Sequence, residues 1–438
     1  MRNATSLAAV ALLLILAALA AAAPWLMPGR HHATLRIAAA AIFVASYTAL
    51  AIGKVPGLSI DRAGVALVGA CLMVGCGAMP LPDAYKAVDF DTITLLLGMM
   101  IVVANLRLSG FFALINAWVA RHAHGPLVLL AGIVAVSGVC SAFLVNDAIC
   151  LVLAPLVAEL AVGLRRNPLP YLLAVAMASN VGSTATITGN PQNMMIGSFS
   201  HIPYAAFAAS LAPVAAVGLV LTVMLLVLLH RGEFRRGAGR LEPRAPRVRT
   251  NTALLWRSLA ATAVLVVAFF AGQPPAKAAI IVGALLLLTR RVRSTRVYAE
   301  IDWSLLLMFT GLFIIVAGAE RTLLTPAIVR DVSKLHLASV PVQSMVTALL
   351  SNLVSNVPAV LVLKPFIAAL PDQATAWKTV AMASTLAGNF TILGSVANLI
   401  VVEQAARRGV GIGFWDYFRV GAPLTVLTIV LGTLWLMR

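Results

Sequence analysis

Between Met177 and Asn193 the sequence reads MASNVGSTATITGNPQN, a dense polar run set in apolar sequence. Its polar side chains are all amides and hydroxyls, among them Ser179, Asn180, Thr184, Thr186, Asn190, Gln192 and Asn193. Such groups donate and accept hydrogen bonds without acting as acids or bases near neutral pH. They can hold a polar solute or replace the water around an ion. Pro191 removes a helix donor and biases Asn190 away from helical geometry, while Gly182 and Gly189 permit further departure. A helix broken here would offer its freed backbone groups for binding as well. Small residues also let membrane helices pack closely, but Asn190, Gln192 and Asn193 together exceed what packing needs.

The same polar order returns later in the chain. MASTLAGNFTILGSVAN, starting at Met382, aligns with the first run at a shift of 205, pairing Met177 with Met382, Ser179 with Ser384, Thr186 with Thr391, Gly189 with Gly394 and Asn193 with Asn398. Its candidate binding residues are Ser384, Thr385, Asn389, Thr391, Gly394, Ser395 and Asn398. A second block repeats at a shift of 210, where Ser141, Asn146, Leu151, Pro155 and Leu160 meet Ser351, Asn356, Leu361, Pro365 and Leu370. A weaker match joins Asp91 to Asp302. Apolar segments resemble one another by chance, but matching polar residues in matching order mark an internal repeat.

The second block also binds its residues to a break. A single helix over 126–161 would run about 54 Å, far beyond a bilayer core of about 30 Å. The chain must turn near Asn146-Asp147, and in the second copy at Ser355-Asn356-Val357-Pro358, where Pro358 suits the first turn of a new helix. Two readings stand: two full spans with a tight turn at the far surface, or a re-entrant hairpin whose tip stops inside the membrane. A break at depth exposes a helix N-terminus that favours anions and carbonyls that can hold a cation. Asp147 is then the acidic group at the first tip, able to carry a proton or to stay ionised beside a cation such as sodium, with Asn146 and Asn356 nearby. Glu159 and Lys364 lie on the outgoing arms; Lys364 either attracts an anion or snorkels to the surface. Cys140 and Cys150 could in principle bind a thiophilic metalloid, but two small packing residues describe them better.

Whatever positions these residues must live in lipid. Of 438 residues, 61% are hydrophobic and 11% charged, against about half and a quarter in soluble domains. Uncharged runs near 20 residues recur from end to end, the length of a transmembrane helix. The chain is therefore expected to be an all-α integral membrane protein. The net charge of +17 does not indicate nucleic acid, because the basic residues sit in short gaps between apolar runs. Four clusters stand out: Arg165 and Arg166; seven arginines within 231–253; Arg290, Arg291, Arg293 and Arg296; and Arg407 and Arg408. Loops rich in arginine stay in the cytoplasm. All four clusters share that side only if 126–163 and 338–370 each enter and leave on one side, the first opening inward and the second outward. Arg30 and Arg36 then fall outside. The expected organisation is an extra N-terminal helix in 1–33, retained rather than cleaved; a first inverted repeat in 34–230; the basic cytoplasmic loop 231–253; and a second repeat in 254–438. Each repeat holds five crossings and one paired segment, so the second is inserted upside down, the plan of secondary transporters with the site near the midplane.

LVNDAICLVLAPL and SNVPAVLVLKP resemble the hairpin tips of the ion transporter superfamily, and ASNVGSTATITGNPQN and LAGNFTILGSVANLIV are similar to its two partly unwound helices. The nearest branches are the arsenite permease and citrate-transporter-like proteins; divalent anion:sodium symporters share the plan more distantly. The resemblance runs from about residue 35 onward. It implies about 11 transmembrane helices, two re-entrant hairpins, a homodimer, and a transport domain moving against a scaffold. In the symporters each tip carries a Ser-Asn-Thr triplet for carboxylate and sodium. Here the tips read Val145-Asn146-Asp147 and Ser355-Asn356-Val357, so only Asn146, Ser355 and Asn356 carry over. The expected function is coupled secondary transport of a small anion or oxyanion in a bacterial inner membrane, driven by a proton or sodium gradient. Arsenite or antimonite efflux and sodium/proton antiport are the alternatives. A non-transporting receptor would need a sizeable soluble domain. An enzyme would need a catalytic cluster, and the seven histidines lie in loops or near span ends.

Overall fold

A computed structural model describes residues 31–52, 60–234, 250–288, 292–325 and 335–438. The expected N-terminal helix and most of the basic loop lie outside the described residues. What is described is helical, with no strand among the described residues.

The chain opens with α1 (His31–Ile52), α2 (Arg62–Gly75), the short α3 (Leu81–Ala87), α4 (Phe90–Ser109) and α5 (Phe111–His122). A helical pair follows, α6 (Pro126–Phe143) and α7 (Asn146–Gly163). Then come α8 (Pro168–Ser183), a 3₁₀ turn at Ile187–Gly189, α9 (Pro191–Ser200), α10 (Tyr204–Leu229) and the single turn α11 (Arg231–Phe234). The second half repeats this order: α12 (Thr252–Phe270), α13 (Pro275–Leu287), the short α14 (Ser294–Tyr298), α15 (Trp303–Leu323), the pair α16 (Val340–Val354) and α17 (Asn356–Ile367), then α18 (Gln373–Ala387), a 3₁₀ turn at Ile392–Gly394, α19 (Val396–Ala406) and α20 (Phe414–Leu436). Eight of the described helices, α1, α4, α6, α7, α10, α12, α15 and α20, are long and apolar enough to cross a membrane, and α2, α13, α16, α17 and α19 are shorter apolar helices.

Local sequence explains the starts. Asp302 caps α15 by accepting from Leu305 N at 3.0 Å, Asn251 caps α12 and Asp372 caps α18 in the same way. Prolines open α6, α8, α9 and α13, where a missing N–H costs nothing. Large apolar side chains on the outer helices remain exposed, among them Val220, Met224, Trp256, Val267, Leu349 and Leu353. A contiguous apolar perimeter of this kind is a surface made for lipid.

Two groups of helices pack within themselves. In one, α2 lies along α15 and α4 along α13 and α12. In the other, α6 packs on α8, α16 on α18, α7 on α19, and α10 on α20. The α6–α8 contact is close because Gly182 lies against the backbone of Gly138, and a Cβ there would land on the Gly138 carbonyl oxygen.

Chain direction and side-chain pairs sort the loops between two ends. Arg107 pairs with Glu300 at 2.5 Å, Arg166 lies 3.9 Å from Glu233 and Arg408 pairs with Glu159 at 3.1 Å, all at one end. At the other end Arg321 meets Asp83, and Trp435 Nε1 donates to the Ser210 carbonyl. Both arms of the α6–α7 pair open toward the first end and both arms of α16–α17 toward the second. The two pairs therefore point at each other.

Candidate functional site

The two tips meet. Asn146 and Asp147, in the first turn of α7, and Ser355, Asn356 and Pro358, around the start of α17, line one small cavity of about 40 Å³. Pro191, Gln192, Ser395 and Val396 close it from the two broken helices, with Leu50, Arg62, Leu305 and Met308 on the remaining wall. The first turn falls two residues earlier than the sequence suggests, and the second falls within the expected stretch 355–358. The first runs through Leu144 and Val145, and Asn146 already begins a helix. The second is Ser355 alone, whose φ of +78° and ψ of 160° lie where non-glycine residues are strained by about 1–3 kcal/mol. Both helix N-termini thus face the cavity, which favours negative charge there.

The expected spans 171–196 and 374–402 are each two helices separated by an irregular stretch. In both, one asparagine closes the break. Asn193 Nδ2 donates to the carbonyls of Ser183 and Thr186 at 3.1 and 3.0 Å. Asn398 Nδ2 donates to those of Gly388 and Thr391 at 2.7 and 3.1 Å. All three positions correspond at the shift of 205, so the two clamps are one device built twice. Gly189 and Gly394 also correspond. A Cβ on Gly189 would land on the Ser183 carbonyl oxygen, and one on Gly394 would lie 2.8 Å from that of Gly388.

Asn180 ties these parts together. Its Oδ1 accepts from Asn146 Nδ2 and from Ser395 Oγ, each at 3.1 Å, and its Nδ2 donates to Asn389 Oδ1 and Asn398 Oδ1, each at 2.9 Å. Asn389 in turn donates to the Met177 carbonyl. Asn190 and Gln192 both donate to Thr385 Oγ1 at 3.2 Å, and Asn190 also caps α9 through Asn193 N. Oriented to satisfy its neighbours, the Asn356 amide donates to the Ser384 and Gly394 carbonyls and to Ser351 Oγ, and accepts from Gln192 Nε2 at 3.2 Å.

The candidate residues thus divide. Asn146, Asp147, Ser355, Asn356 and Ser395 reach the cavity. Asn180, Asn190, Asn193, Thr385, Asn389 and Asn398 are buried and bind one another or freed backbone. Thr186 donates to the Ala142 carbonyl, Ser179 meets Cys150 Sγ at 2.9 Å, and Thr184 bonds back to the Asn180 carbonyl. Thr391 and Ser384 contribute carbonyls, and Gly189 and Gly394 contribute space. Lys364 stays out of the cavity, its Nζ 4.4 Å from the Phe199 ring centre. Sequence reasoning missed Arg62, which lines the cavity from the first turn of α2. An arginine at the edge of an apolar run reads as a surface anchor, so its type gave no signal.

The two tips are unequal. Ser351 and Asn356 bond to each other, but their counterparts Ser141 and Asn146 do not. Ser141 Oγ and Asn146 Oδ1 are buried with no hydrogen-bond partner. Asp147 makes no hydrogen bond or ion pair among the described residues, and the charges that act on it are those of Asp302 and Arg62. Among the described residues no group of three or more His, Cys, Asp or Glu is placed to hold a metal.

Comparison with known proteins agrees with this architecture. An uncharacterised transporter of Mycobacterium tuberculosis is 30% identical, over 92% of this chain and 98% of that one. The silicon efflux transporter LSI3 of Oryza sativa subsp. japonica is also 30% identical, over 86% and 93%. Among solved structures, the Alcanivorax borkumensis YdaH transporter superposes with a TM-score of 0.58 at 15% identity, over 92% of this chain and 97% of that one, a likeness of fold. The CitMHS family model, described as citrate transporter, matches residues 47–387. With its apolar helices and its match across most of its length, this chain is a multi-pass integral membrane transporter, not an enzyme, and belongs to the CitMHS citrate transporter family.

Proposed function

We propose that the protein is a secondary active transporter of a small oxyacid or its anion, coupled to a proton or sodium gradient. The observation that carries this reading is the closure of two oppositely directed helix pairs and two broken helices on one polar cavity. A site reached from both ends and sealed in the middle is what alternating access requires. The two packing groups supply a moving body, α6–α10 with α16–α20, and a scaffold around α2, α4, α13 and α15, which suits an elevator motion of one against the other. A homodimer would hold such a scaffold fixed in the bilayer.

Size and charge favour a small solute. The cavity offers one guanidinium and one carboxylate among the described residues, with amides and hydroxyls between them. A tricarboxylate would bring more negative charge than the one guanidinium in this wall can balance. A hydroxylated oxyacid suits it better, in keeping with the relative named for silicon efflux. For a coupling cation the oxygens without partners, Asn146 Oδ1 and Ser141 Oγ, are the donors of the right kind; Asn356 has its amide fully engaged.

The test is uptake into proteoliposomes holding the purified full chain. Silicate, arsenite and citrate are supplied under an imposed pH gradient, an imposed sodium gradient, and neither. Gradient-dependent movement of silicate or arsenite, with citrate excluded, is expected. Citrate uptake would overturn the substrate class. Sodium and proton exchange with no solute moved would replace the reading by antiport.

A further inference from the structure

We propose that Arg62 is the recognition group for the solute's acceptor oxygens and that Asp147 is its partner for a solute hydroxyl, so that the site selects oxyacids bearing both. This deepens the transport reading above and rests on it.

Three observations carry it. Arg62 and Asp147 line the same cavity from opposite sources, α2 and the first tip. Each acts electrostatically on the other, yet among the described residues no ion pair within bonding distance joins them and neither side chain makes a hydrogen bond. Asp302, the other charge that acts on Asp147, is occupied in capping α15 through Leu305 N at 3.0 Å. Arg107 and Glu300, which line a second, neighbouring cavity that Asp147 also borders, are spent on each other at 2.5 Å. Two opposite charges remain that share a confined space without touching.

Leaving such charges apart in a half-buried wall is unfavourable unless something completes them. Arginine presents a rigid fork of donors and no acceptor, so its complement is an oxygen, charged or neutral. A carboxylate accepts only, so its complement is an O–H. A molecule that spans the gap must therefore carry an acceptor oxygen on one side and a hydroxyl on the other. Small hydroxylated oxyacids have this arrangement; a bare oxyanion such as nitrate does not. Between the two ends, Ser355 lines the cavity and its hydroxyl can serve a remaining oxygen.

The experiment measures stabilisation of the detergent-purified full chain against heat, with silicate, bicarbonate, nitrate or chloride added at equal ionic strength. A ligand that binds the folded state raises its stability by mass action. Silicate or bicarbonate is expected to stabilise the wild type and nitrate to have no effect beyond chloride. Arg62→Gln is expected to weaken the responding probe about ten- to a hundredfold, the loss of a charge-assisted hydrogen bond. Arg62→Lys, which keeps charge and loses the fork, should recover part of that loss. Asp147→Asn should admit nitrate alongside the hydroxylated probe, because an amide can donate to the oxygen that a carboxylate repels. Stabilisation by nitrate equal to that by bicarbonate in the wild type would overturn the assignment, as would Arg62→Gln binding within twofold of wild type. Those results leave the transport reading intact, since it is judged by gradient-driven uptake. If Arg62→Gln does not fold, the wild-type ranking of probes and the Arg62→Lys and Asp147→Asn variants decide. No response to either hydroxylated probe in the wild type would overturn the oxyacid class and this assignment together.

Discussion

Asn193 and Asn398 look in sequence like solute ligands and in structure like clamps, and removing them separates the two roles. Asn193→Ala would strip the donor from the carbonyls of Ser183 and Thr186, and Asn398→Ala from those of Gly388 and Thr391. Each substitution removes two donated hydrogen bonds, worth about 0.5–1.5 kcal/mol net apiece. Ser183 keeps Asn190 Nδ2, and Thr186 and Thr391 keep the N–H groups of Gly189 and Gly394, so each substitution should destabilise by about 1–3 kcal/mol. The accepting ends are lost as well: Asn398 Oδ1 accepts a hydrogen bond from Asn180 Nδ2 at 2.9 Å and Asn193 Oδ1 one from Thr385 Oγ1 at 3.4 Å. Asn→Asp at either position keeps the shape and replaces the donor by an acceptor, so it should be no better than alanine. Gln192→Ala is the control. Thr385 Oγ1 keeps a donor in Asn190, and the Asn356 oxygen that Gln192 also serves lines the cavity, where water can replace the lost donor, so this variant's stability should change by less than about 1 kcal/mol. The assay is the thermal midpoint of each purified variant in detergent without solute. A fall of several degrees for both clamp variants, and little for Gln192→Ala, is expected. Wild-type midpoints for Asn193→Ala and Asn398→Ala, together with lost solute binding, would show that these amides serve the solute and refute the clamp.

Three other outcomes follow from the same geometry. Ser355→Gly and Ser355→Ala lose the same hydroxyl, but glycine also relieves the strain at φ +78°, so the glycine variant should melt above the alanine one by up to about 2 kcal/mol after its chain-entropy cost; equal or reversed midpoints would mean no strain is held there. Single cysteines placed at 277 and 407, in a chain otherwise free of cysteine, should react with an impermeant thiol reagent from the outside and the cytoplasmic side respectively, and outside labelling of 407 would invert the topology. Asp147→Asn should change the dependence of transport on the pH or sodium gradient while leaving expression and melting near wild type, and unaltered gradient dependence would remove Asp147 from coupling.

Much of the frame was legible because it rests on signals that single residues carry. Apolar length gave the helices, and the span expected at 205–229 is observed as Tyr204–Leu229. Repeated polar order paired the tips and the breaks before any contact was known. The residue roles were less legible, for a physical reason. An asparagine in an apolar run announces that it needs partners, but not whether those partners are a solute or the chain's own backbone. Asn193 finds carbonyls ten and seven residues back, at the end of the preceding helix and in the turn, and only the fold of the break brings them within reach. Arg62 failed in the opposite sense. Its charge is ordinary at the edge of a span, and it became a site residue because α2 lies along α15, where Gly311 abuts Ala66 and where Leu305 and Met308 line the same cavity.

The inverted repeat also explains why the two tips should differ. Identical tips facing one cavity would make it symmetric, with equal charge and equal unmet hydrogen bonds on both sides. Here the asparagine of the second tip is fully engaged: Asn356 is bonded to the first helix and the turn of the second break and to Ser351. The first is left open, with Asn146 tied only through Asn180 and its oxygen unmet, as is that of Ser141. An unmet buried acceptor is worth about 1–3 kcal/mol to whatever satisfies it, and among the described residues lining the cavity that acceptor is Asn146 Oδ1. A ligand can shift a conformational equilibrium only by what it gains in one state over the other. The free energy that an occupant can gain is therefore concentrated at Asn146 and Asp147, while the Asn356 amide at the second tip is already engaged before anything binds.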